Sequence, residues 1–115
     1  MEHPMSSTPM SESQVAAGVF EELPLEQEAT KSQVVFNNEK IRQVSFAMDT
    51  NQVLTEHSAP RAVIVNILQG KIEFTVGGTA NVVVPGDVIY LAPNDRHAVK
   101  ALEPSRFSLT LIDMA

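Results

Sequence analysis

Residues 51–101 read NQVLTEHSAP RAVIVNILQG KIEFTVGGTA NVVVPGDVIY LAPNDRHAVK A, and this stretch decides the fold. Short runs rich in Val, Ile, Phe and Thr are broken by Gly77-Gly78, Pro85-Gly86 and Pro93-Asn94. Branched and aromatic side chains suit a pleated surface, and Gly, Pro and Asn supply the backbone angles of tight turns. Gly77-Gly78 between two β-branched runs is a hairpin signal. Working outward, the same pattern predicts strands over 33–36, 41–48, 53–57, 62–68, 71–76, 80–84, 88–91, 97–102 and 107–112. Many short strands at close spacing mean a sandwich or a barrel.

Upstream of these strands the character changes. Residues 1–13 are rich in Ser, Pro, Thr and Met and have the composition of a disordered tail. A helix is predicted over 12–23, with Val15, Val19 and Leu23 on one stripe, Ser11 or Ser13 as cap and Pro24 as its stop. The chain of 115 residues therefore divides into an N-terminal extension over 1–32 and one β domain over 33–115.

Composition removes whole classes of function. The net charge of −6 argues against nucleic acid and anionic membranes as partners. With no cysteine there is no disulfide, thiolate–metal or cysteine-nucleophile chemistry. No apolar run reaches membrane-spanning length, and Met1-Glu2-His3-Pro4 does not open a secretory signal, so a cytoplasmic location is expected.

Two motifs inside the stretch carry a family resemblance. Gly70-Lys71-Ile72-Glu73-Phe74 closes the first, and counting back from Gly70 places its Glu seat at Val63, its second His seat at Ala59, its first His seat at His57 and its opening Gly seat at Asn51. Pro85-Gly86-Asp87-Val88-Ile89-Tyr90 opens the second, with His97 at the His seat, Asn94 at a Gly seat and Ala101 at the last Asn seat. Asn tolerates left-handed backbone, so both exchanges of Gly for Asn are mild. On these residues the chain resembles the small single-domain, RmlC-like members of the cupin superfamily, over about residues 34–112. The resemblance implies an all-β jelly-roll barrel. It also implies a divalent metal where four motif seats hold His, His, Glu and His. Only His57 and His97 fill such seats here, and Ala59 and Val63 cannot bind a metal.

The period of two along a strand settles which side chains share a face. If His57 points inward, position 59 does too, and Val63, Val65 and Ile67 form an apolar inner wall while Ile64 and Leu68 face out. Val34, Val44, Phe46 and Met48 add apolar material that one barrel interior is not expected to absorb, and an apolar outer face marks a subunit interface, here of a homodimer. Arg61 and Arg96 border the two histidines in sequence and are the candidate anion binders. Asp95 is read as a turn residue and Tyr90 as a strand residue.

The expected activity is binding of a small anionic ligand in the barrel by His57, His97, Arg61 and Arg96 over Val63, Val65 and Ile67. One alternative is a metal-dependent isomerase or dioxygenase that adds a third ligand such as Gln43 to His57 and His97, with a weakly held divalent ion as cofactor. A second is metal-free acid–base work by a histidine, and a third is a structural or regulatory module without ligand.

Overall fold

Gly77 and Gly78 both take positive φ, 55° and 87°, which is what a two-residue turn demands when it joins right-twisted antiparallel strands. In the computed structural model of the chain, which describes residues 7–114, that turn links β5 (Ile72–Val76) to β6 (Thr79–Val83), as the sequence predicts. The other strands are β1 (Lys31–Asn37), β2 (Ile41–Met48), β3 (Val53–His57), β4 (Ala62–Gln69), β7 (Val88–Leu91), β8 (His97–Ala101) and β9 (Ser105–Ile112). Each corresponds to a predicted strand. The turns between them are fixed by short polar side chains. The Asn38 carboxamide accepts from the Lys40 and Ile41 amides, both at 2.9 Å, and the Asp87 carboxylate accepts from the Val84 amide at 2.8 Å. Asn51 and Asn94, the two substitutes for glycine, stand at φ 70° and 71°, in the left-handed conformation that the seats require.

The strands form two antiparallel sheets, one in the order β1-β2-β9-β4-β7 and the other in the order β3-β8-β5-β6. Packed face to face they make the jelly-roll barrel that the resemblance implies. Cross-strand register shows what lies between them. Phe46 stands opposite Phe107, which stands opposite Ile67; Leu109 stands opposite Val65, and Leu111 opposite Val63. The facing sheet contributes Ile72, Phe74, Val99 and Ala101. Val63, Val65 and Ile67 are buried, as expected. Met48 is fully buried and Phe46 stacks on Phe107 with centroids 4.8 Å apart, so the interior does absorb these side chains, contrary to the sequence expectation. Val34 and Val44 face each other across β1 and β2 in register with Leu109, on the same inner side. The outer face of the five-stranded sheet is instead mixed. It shows Gln43, Ser45, Asn66, Ser108 and Thr110 beside Ile64, Leu68, Val88 and Tyr90.

The extension departs from the prediction. Only Val19–Glu22 is helical (α1), not 12–23; Gly18, in left-handed geometry, precedes it without a side-chain cap, and Val15 is exposed. A short amphipathic stretch in a small chain forms a helix only where packing holds it, and packing begins at Phe20 and Leu23. The Arg106 guanidinium lies 4.4 Å over the Phe20 ring, its Nη1 donates to the Leu23 carbonyl at 2.7 Å, and Leu23 is buried. The extension is thus a strap laid on the outer face of the sheet. Residues 1–6 of the expected tail lie outside the described residues; further along, the Thr8 amide donates to the Asn37 carbonyl at 2.9 Å. Among the described residues no helix is long and apolar enough to cross a membrane.

Candidate functional site

Strict alternation along β3 puts Leu54 and His57 on opposite faces, because they stand three positions apart. The register with β8 breaks between them: Leu54 pairs with Val99, and His57 pairs with His97. The extra residue is a β-bulge, a device that re-aims a side chain without ending the strand. It turns both Leu54 and His57 toward the interior, while Glu56 stays outside and holds Arg96 in an ion pair of 3.0 Å.

The bulge brings the two imidazoles together. Their centroids are 4.2 Å apart with the rings at 65°, edge to face. His97 is 4% exposed and stacks at 6.1 Å on Phe74, whereas His57 is exposed at the mouth. His57 Nδ1 lies 2.8 Å from the Thr55 carbonyl and His97 Nδ1 lies 3.2 Å from the Asp95 carbonyl. A carbonyl oxygen only accepts, so each Nδ1 carries a hydrogen and each neutral ring keeps its lone pair on Nε2. Asp95 thus serves through its main chain, as a turn residue. Burial holds the His97 pKa below its ordinary 6.5; the Asp95 carbonyl opposes this in part, and the His57 charge adds to the lowering.

Beneath the pair is a cavity of about 120 Å³ lined by Phe46, Leu54, Phe74, Val99, Phe107 and Leu109 along with the two histidines. Its wall corrects the sequence expectation in two ways. Val63, Val65 and Ile67 are core residues that do not line it, since β4 lies beyond β9 from the cavity. Arg61 and Arg96 do not line it either, and the Arg96 charge is already met by Glu56. The aromatic and aliphatic wall comes from β2, β3, β5, β8 and β9. Alternation groups Phe46 with Val44 and Met48, and Phe107 with Leu109 and Leu111, on one face of their strands; which face meets the other sheet, and which residues end beside His57, depends on strand order, which alternation does not encode.

The comparisons with known proteins agree with this fold. The sequence profile of the cupin domain matches residues 44–113. The chain belongs to the cupin family. No curated protein matches this cupin. Among solved structures it is similar to a conserved protein of unknown function from Streptococcus pyogenes, at 24% identity and a TM-score of 0.79, over 98% of this chain and 99% of that one. It is also similar to an RmlC-like cupin from Desulfovibrio desulfuricans, at 20% identity and 0.78, over 87% and 97% of the two chains. A cupin superfamily protein from Desulfitobacterium hafniense matches at 18% identity and 0.74, over 96% and 100%. These likenesses concern the fold.

A resident divalent metal does not fit the donors this cupin presents. Two imidazoles come together, but Ala59 packs on the core and Val63 is a buried core residue, and no group of three His, Cys, Asp or Glu that could hold an ion gathers among the described residues. Gln43, the candidate third ligand, lies on the outer face and donates to Thr110 Oγ1 at 3.2 Å. Structural and catalytic zinc or iron sites use three protein ligands or more.

Proposed function

We propose that this cupin binds a small, mostly apolar molecule between its sheets and holds one hydrogen-donating group of that molecule with His57 and His97. The observation that carries this is the pair of Nε2 lone pairs, left free by the Nδ1–carbonyl bonds, over a cavity walled by apolar side chains. An apolar pocket with a few convergent polar groups is the ordinary form of a small-molecule site. At about 120 Å³ the cavity is a little smaller than the ~150 Å³ engineered cavity that takes benzene. It therefore suits one ring or a short aliphatic chain. The preference of His97 for its neutral form favours a donor: a hydroxyl, a phenol or a protonated acid. An anion held by Arg61 and Arg96, the expectation from sequence, has no support from their positions.

Phenol and toluene test the proposal, since they differ by the donor group alone. Titration of methyl-labelled protein is expected to move the Leu54, Val99 and Leu109 methyl signals with phenol at concentrations roughly tenfold lower than with toluene, the value of about one hydrogen bond. His97→Ala should remove that preference. Equal responses to both probes, or none at those methyls, would overturn the proposal.

A further inference from the structure

A second cavity, of about 250 Å³, opens on the other side of the five-stranded sheet, between the strap and the outer face. Val19, Phe20, Val35, Phe36 and Leu68 form its apolar walls, and its floor is polar. Ser45 and Ser108 stand directly opposite each other across β2 and β9 on that floor, 8% and 7% exposed, and neither hydroxyl has a hydrogen-bond partner among the described residues. Both residues line the same cleft, so their hydroxyls are available there to a ligand or to water. Arg106 precedes Ser108 by two residues on β9, so the two side chains leave the same face with their backbones about 7 Å apart.

Arg106 is 8% exposed, and among the described residues no Asp or Glu lies within ion-pair distance of it. The Leu23 carbonyl and the Phe20 ring supply only partial negative charge. A desolvated guanidinium without a counter-ion attracts an anion strongly. Phe20 joins the two features, with its ring over Arg106 and its edge in the wall of the cleft.

We infer that this cleft is a second binding site, built for a small amphipathic carboxylate whose head group lies on Ser45 and Ser108, in the field of Arg106, and whose apolar body lies along Phe36, Leu68 and the strap. The two hydroxyls donate to the carboxylate oxygens, and the Arg106 charge, on the same face of β9 though outside the cleft lining, favours an anion there over a neutral group. The site is distinct from the cavity between the sheets and does not depend on what that cavity holds.

Octanoate is the probe, with octan-1-ol as a partner of the same chain length and no charge. In methyl-labelled protein, octanoate is expected to shift the Val19, Val35 and Leu68 signals and to leave those of Leu54 and Val99 in place; octan-1-ol should need at least tenfold more. Removing both hydroxyls in the Ser45→Val, Ser108→Val double variant should weaken octanoate about tenfold, the scale of lost hydrogen bonds to a charged group. Leu68→Trp, which fills the cleft from its apolar side and leaves the floor intact, should block the probe even if the double variant does not fold. Several results would overturn the inference: no shift at the cleft methyls, shifts at Leu54 and Val99 instead, equal response to the alcohol, or undiminished binding in the variants. Occupation of the cleft by a second copy of the chain, seen as a dimer that octanoate does not dissociate, would also overturn it.

Discussion

Gly70 closes the first motif, and the sequence explains it by its turn; its φ of 86° agrees. The structure adds a tighter reason. A methyl on Gly70 would run into the Pro104 carbonyl and the Ser105 hydroxyl, and would stand 2.8 Å from Ser105 Cα. Ser105 cannot retreat, because it is fully buried, donates to the Glu103 carbonyl at 2.6 Å and accepts from the Lys71 amide at 3.1 Å. At Gly86, with φ 98°, an added methyl would meet nothing within 4 Å, so the cost there is conformational alone. Gly70→Ala is therefore expected to cost about 2–5 kcal/mol, strain plus overpacking, and Gly86→Ala about 1–2 kcal/mol, strain only. Urea unfolding of both variants checks this, and equal losses would contradict it. His97 yields a pH prediction. Its folded pKa is depressed, chiefly by burial and further by the His57 charge, so between that value and the ordinary 6.5 the unfolded chain binds more protons than the folded one. Stability then rises with pH through this window and is lost as pH falls below about 6.5. His97→Gln should flatten the slope of unfolding free energy between pH 5 and 7 relative to the wild type; an unchanged slope would rule out the assignment.

Elements are legible in the sequence where local chemistry decides them. Nine strands and their turns follow from branched side chains and from Gly, Asn and Asp at positions whose angles or hydrogen bonds the turns need. What the sequence does not give depends on contacts between distant parts of the chain. The helix over 12–23 shrinks to Val19–Glu22 because only Phe20 and Leu23 find a partner, and that partner, Arg106, is 83 residues away from Leu23. Val44, Phe46 and Met48 look surplus because alternation gives the two faces of a strand but not which of them meets the other sheet. The candidate site shows the same division. The motif seats present His57 and His97 as a converging pair, and their ring centroids stand 4.2 Å apart. Alternation alone assigns the wall beneath them to β4, yet the bulge in β3 and the strand order place Phe46, Leu54 and Phe107 there. Arg61 and Arg96 are close to the histidines in sequence without lining the cavity. Arg106, the buried arginine, has no such neighbour to point to it, although its place on an outward register beside Ser108 is implicit in the alternation of β9.

At the scale of the whole molecule, the outer face of the five-stranded sheet has two unequal halves. The strap covers the side of β2 and β9, where it packs against Arg106 and encloses Ser45 and Ser108. The cavities that its described residues line extend no further than Leu68 of β4. Beyond β4, β7 is the edge of the sheet, and Val88 and Tyr90 are 61% and 60% exposed beside the half-buried Ile64, with which Tyr90 pairs. An open edge with neighbouring apolar side chains is a surface that proteins usually protect or pair. Leu68, grouped with Ile64 in the sequence expectation of a homodimer, belongs instead to the wall of the cleft under the strap. The expected self-association therefore moves to Ile64, Val88 and Tyr90. Sedimentation at micromolar concentration in neutral buffer is expected to give a dimer. Tyr90→Glu, which puts a charge into the centre of that patch, should give a folded monomer with wild-type circular dichroism, because the side chain is exposed in the single chain and takes no part in its core. The strap-side variant Leu68→Trp should leave the dimer intact, which separates the two halves of the face. A wild-type protein that sediments as a monomer across that range would refute the assignment, and so would a dimer that Tyr90→Glu leaves unchanged.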